Sequence, residues 1–163
     1  MRYHVEKHGL TILRLSLATV FFWFGFLKFF KGNAAEALAS DTIAWLTFGA
    51  VGKAASLILL GVIECGIGLA LFTKKLLHIA IPILYVQMLG TLLPLFIFPE
   101  KTWVSFGMPT LEGQYIVKNA VLIAAGIILG ASARGAKLIT HARVAREARE
   151  KEELIAGRKK HYL

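Results

Sequence analysis

Cysteine is nearly absent. Cys65 stands alone among 163 residues, so neither an intrachain disulfide nor a CxxC redox pair can form. It sits inside an apolar run, where a lone thiol packs as a small hydrophobe. Charge is scarce as well, at 18% of residues, against about a quarter in soluble domains. Acidic residues are the rarer sign, 10 against 19 basic, which leaves a formal charge of +9. The histidines are His4, His8, His78, His141 and His161, all at or beyond the ends of apolar runs. That placement excludes a haem held by two buried histidines. No glycine-rich dinucleotide motif follows a strand, and no metal-ligand spacing occurs. A redox role would need a diffusible cofactor such as a quinone, or a partner subunit.

Apolar residues are what the chain has in abundance, at 56%, with a mean hydropathy of +0.63. About twenty consecutive apolar residues suffice to cross a bilayer. Four stretches qualify: 10–30, 54–72, 76–98 and 114–133. They predict an all-α fold, a polytopic transmembrane four-helix bundle. Residues 1–136 form the membrane domain and 137–163 a basic helical tail. Between the first two spans, KGNAAEALASDTIAWLTFGAVGK carries an apolar turn over 43–48. It predicts a short interfacial or re-entrant helix, with Trp45 at headgroup level.

Loop charge sets the expected orientation. The N-terminal arm, the connection holding Lys74 and Lys75, and the tail together carry thirteen Lys and Arg, against Lys31, Lys53 and Lys101 on the other side. The bias places both termini in the cytoplasm, in an inner-membrane protein. It also explains the basic excess without nucleic acid. The tail pairs Arg143/Glu147, Arg146/Glu150 and Arg149/Glu153 at helical i,i+4 spacing, as a solvated helix does. Its cations suit anionic lipid heads. Ala37-Leu38-Ala39 looks like a signal-peptidase site, but the preceding apolar stretch is too long and ends in Lys28.

Four ionisable groups fall inside the spans: Arg14, Lys28, Glu64 and Lys118. Such groups are costly in a bilayer and pair or function there. Arg14 and Lys28 lie near span ends and can snorkel. Glu64 lies mid-span and cannot, so it needs a partner or a proton. Lys28 and Lys118 belong to the same outer half, which predicts a Glu64–Lys28 or Glu64–Lys118 contact. Helical spacing gathers further polar and small residues onto shared faces: Gly61, Glu64 and Gly68; Gln87, Gly90, Thr91 and Pro94; Asn119, Gly126 and Gly130 beside Lys118. Small residues let helices approach closely, so these faces should line the interior. The set serves either as packing glue or as a ligand site. Two lysines facing one carboxylate leave one excess positive charge, which an anion, a quinone carbonyl or a lipid head would balance. In the loop before the last span, Thr110 and Glu112 suit a helix start, and Trp103 and Phe106 suit an interface.

Taken in order, ILRLSLATVFFWFGFLKF, GVIECGIGLAL and LPLFIFPEKTWVSFGMPTLEGQYIVKNAVLIAAGIILG resemble the DoxX family of small membrane proteins, including its branch linked to reactive-chlorine resistance. The resemblance spans 10–135. It implies a four-helix transmembrane bundle, with Arg14, Lys28, Glu64, Lys118 and Asn119 at the family's polar positions and Trp23 and Gly25 in its first-helix pattern. It further implies an accessory subunit in a redox or oxidative-stress system, with membrane lipids and a redox subunit as partners. Alternatives are a thiosulfate:quinone-type oxidoreductase, with Glu64 moving a proton, and an assembly factor whose polar core only fixes helix register. A transporter is the weaker fourth, since four spans are few. Glycines on the second and fourth spans would permit a homodimer.

Overall fold

The computed structural model describes residues 2–30 and 36–135, together with Arg146, Glu147 and Glu150. Four helices there are long and apolar enough to cross a bilayer, and the chain is a multi-pass membrane protein of all-α bundle type. The helices in chain order are α1 (Arg2–Leu27), α2 (Glu36–Leu46), α3 (Lys53–Phe72), α4 (Leu77–Leu92), α5 (Pro94–Ile97), α6 (Pro99–Thr102) and α7 (Leu111–Ala133); the spans are α1, α3, α4 continued by α5, and α7. A 3-10 turn, Lys74–Leu76, joins α3 to α4. One short antiparallel hairpin, β1 (Trp103–Ser105) and β2 (Met108–Pro109), precedes α7. The bundle thus has a terminal end, with the start of α1 and the end of α7, and a hairpin end, with α2, α5, α6 and the hairpin.

Packing is pairwise: α1 lies against α3, α4 against α7, and α3 joins the pairs through α4. The apolar core is drawn from all four spans, with Leu17, Ala18 and Phe21, then Ile67 and Leu71, then Ile81, Leu84 and Met88, then Ala125 and Leu129. Large apolar side chains also cover the outside, among them Trp23, Ile58, Val86 and Val121. A bilayer solvates such a surface where water would not.

The third span runs over Leu77–Ile97, close to its expected bounds. Leu93 keeps helical dihedrals between α4 and α5, and Pro94, having no N–H, omits one rung of the hydrogen-bond ladder there. Two expectations need correction. Gly90 faces open space rather than a neighbouring helix. Arg14 does not snorkel. It is buried at 7% exposure, and its Nη1 donates to the carbonyls of Leu71 and Phe72, the latter at 2.7 Å. Those two carbonyls end α3, where no intrahelical donor remains and the helix dipole is negative. A long cation on α1 thus closes the end of its neighbour. Replacing Arg14 with Met leaves both carbonyls open, and it should lower stability by about 2 kcal/mol, the range for hydrogen bonds to a charged group. Unfolding in a fixed detergent checks this.

The tail 137–163 lies outside the described residues, apart from Arg146, Glu147 and Glu150, which are helical and exposed. No ion pair joins Arg146 to Glu150, one of the i,i+4 couples. Ala37, Leu38 and Ala39 lie inside α2, with Leu38 buried. Thr110 caps α7 as its position suggests, accepting a hydrogen bond from the Gly113 N–H at 3.1 Å.

Candidate functional site

Glu64 occupies the buried face of α3, together with Gly61 and Gly68. Opposite it, α1 ends at Leu27, and the turn that follows brings Lys28 inward. The two helices touch closely because Gly25 lies at the crossing. A Cβ there would sit 2.7 Å from the backbone nitrogen of Cys65 and 2.8 Å from the Glu64 Cβ. The result is an ion pair, Lys28 Nζ to Glu64 Oε2 at 2.5 Å, with side chains only 12% and 10% exposed. The same ammonium lies 3.4 Å from the Phe24 carbonyl, in the last turn of α1, where a cation is favoured.

A third helix completes the carboxylate's shell. Gln87 on α4 donates from Nε2 to Glu64 Oε1 at 2.6 Å. Its own Oε1 is buried and has no partner. A buried amide oxygen without a donor loses free energy on the order of 1–3 kcal/mol, so native structures rarely leave one. One turn on, Thr91 Oγ1 accepts from Asn119 Nδ2 on α7 at 3.2 Å and donates to the Met88 carbonyl. The turn that closes α1 and the other three spans therefore contribute to a polar layer: Lys28, Glu64, Gln87 with Thr91, and Asn119.

Lys118 stands outside it. The side chain is exposed, and its Nζ lies over the Tyr115 ring, 4.9 Å from the centroid. Neighbouring residues on a helix point about 100° apart, so Asn119 turning to α4 leaves Lys118 facing out. Of the two anticipated contacts, Lys28 makes the one to Glu64 and Lys118 does not. The excess positive charge anticipated from two lysines is absent as well, since one cation meets one carboxylate. Trp23 is 59% exposed on the outward face of α1, while Gly25 sets the helix approach. The free thiol of Cys65 lies 3.7 Å from the Phe22 carbonyl. Among the described residues no cluster of His, Cys, Asp and Glu could hold a metal.

No family model, curated protein or solved structure matches the chain.

One charged cluster goes unannounced by the sequence. Asp41 on α2 lies between Lys101 Nζ at 2.8 Å and Lys53 Nζ at 3.2 Å. It ties α2 to the start of α3 and to the end of α6. The partners are 12 and 60 positions away, so no local spacing signals the cluster. The Lys101 hydrogen bond first, and then that from Lys53, hold the Asp41 carboxyl below its ordinary value of 3.8. A depressed folded-state value means the stabilisation is complete above the unfolded value and vanishes as pH falls through the folded one. The stability difference between wild type and Asp41→Asn should therefore be flat near neutrality and disappear in acid below about pH 4. Since both lysines are exposed, added salt should shrink the difference too. Thermal unfolding across pH and salt measures both.

Proposed function

We propose that the chain is an accessory subunit of DoxX type in a membrane redox or oxidative-stress system. Its polar layer binds a small hydroxyl-bearing, quinol-like ligand. The observation that carries this reading is the unpartnered, buried Oε1 of Gln87. Both Glu64 oxygens already have donors, from Lys28 and Gln87, which leaves the amide oxygen as the acceptor in want of one. A quinone offers only carbonyl acceptors. Its reduced form offers hydroxyl donors and meets the deficit. The preferred topology has both termini in the cytoplasm and the polar layer in the outer half of an inner membrane, following the loop charges.

The test is a titration of the purified protein in mild detergent with a short-chain quinol and with the matching quinone, without oxygen. One recovered hydrogen bond to a buried acceptor corresponds to roughly tenfold tighter binding of the quinol. Gln87→Met should abolish that preference. Equal binding of the two forms, or none of either, overturns the proposal.

A second reading has its own observation. Glu64 is fully engaged, and the α1–α3 crossing admits no side chain at Gly25. On that basis the layer fixes helix register in an assembly factor without ligand, and substitutions in it lose folding rather than binding.

A further inference from the structure

The geometry points to a second functional surface: the tip of the hairpin at 103–109 is a wedge that inserts into the headgroup region of the bilayer. It stands apart from the polar layer and from any ligand there.

The tip is apolar and open. Phe106 is fully exposed, and Val104 and Met108 are 71% and 61% exposed. Gly107, at φ 76°, turns the chain between the strands, a conformation glycine adopts without strain. Water would surround all three side chains on a hairpin that stood away from the membrane. The hairpin is instead folded back on a span. The Trp103 indole Nε1 donates to the Leu95 carbonyl at 3.1 Å, and Leu95 belongs to the apolar span Leu77–Ile97. On the other side the next span begins two residues after β2, at Leu111. Both anchors place the hairpin at the depth where spans end. Tryptophan is enriched at that depth, with its ring in the apolar boundary and its N–H satisfied.

The base is built rigidly, so the tip holds its shape. Thr102 is fully buried. Its carbonyl accepts from the Thr110 N–H at 2.9 Å, and the Thr110 hydroxyl donates to the Lys101 carbonyl at 2.8 Å. Gly113 lets α7 press directly on that joint, since a Cβ there would fall 2.1 Å from the Thr102 oxygen. A rigid base beneath exposed Phe and Met, at the level of the span ends, fits a lipid interface rather than open solvent.

Phe106→Cys in a Cys65→Ala background, labelled with a small fluorophore, tests this in phosphatidylcholine liposomes. Phe106 makes no buried contact, so the fold should survive the change, and unfolding of the labelled protein verifies it. Nitroxide lipids carrying the quencher near the headgroup should extinguish the fluorescence. Quencher near the chain end should act less, and aqueous iodide least. Strong iodide quenching with none from lipid puts the tip in water and overturns the wedge. Protection from both quenchers overturns it too, and assigns the tip to a second copy or a protein partner.

Discussion

Lys28→Met should destabilise the bundle by about 3 kcal/mol, because it strands a charge rather than merely deleting a contact. Glu64 is 7% exposed and lies mid-span. Without Lys28 its carboxylate keeps one neutral donor, Gln87, in surroundings that solvate charge poorly. Adding Glu64→Gln to Lys28→Met should recover more than half of the loss. The paired change removes both charges and leaves an amide facing the Gln87 amide. Such asymmetry is the mark of a buried pair: breaking it is worse than replacing it. Unfolding of wild type, both single variants and the double variant in the same detergent gives the complete cycle. Additive losses would mean the pair is not coupled.

Gly25→Leu should produce a loss of similar size, about 3 kcal/mol, at the upper part of the overpacking range. The obstacle is backbone, namely the Cys65 nitrogen at 2.7 Å from the new Cβ. No rotamer change can clear it, so α1 and α3 must separate. That separation pulls Lys28 from Glu64 as well. Gly66 is the control on the same helix pair. Nothing lies within 4 Å of a Cβ there, so Gly66→Leu should be neutral or slightly stabilising through helix propensity. If the two substitutions unfold alike, the close crossing is not what holds the pair.

Much of this arrangement is legible in the sequence, and what is not has physical reasons. Apolar runs give four spans because a bilayer sets their length. Mid-span placement marks Glu64 as a group that needs a partner. What hydropathy cannot resolve is azimuth. Lys28 and Lys118 are equivalent by depth, yet one points in and the other out over Tyr115. Only the helix neighbours decide which. Arg14 is misjudged for a related reason. Its depth permits snorkelling, but its guanidinium instead donates to the open carbonyls at the end of α3, which a hydropathy reading does not reveal. Asp41 and its two lysines depend on long-range proximity, which no periodicity announces. Pro94 lies on a buried face, as its helical spacing suggests, but the rung of the ladder it omits is visible only in the backbone.

Native mass spectrometry of the protein released from mild detergent tests the central claim most directly. Wild type should retain a small molecule bearing hydroxyl groups. Gln87→Met should fold, keep the Lys28–Glu64 pair and lose that mass. A bare wild-type protein, or a mass that persists unchanged in Gln87→Met, would contradict a binding role for the polar layer and leave it as the joint that fixes four helices in register.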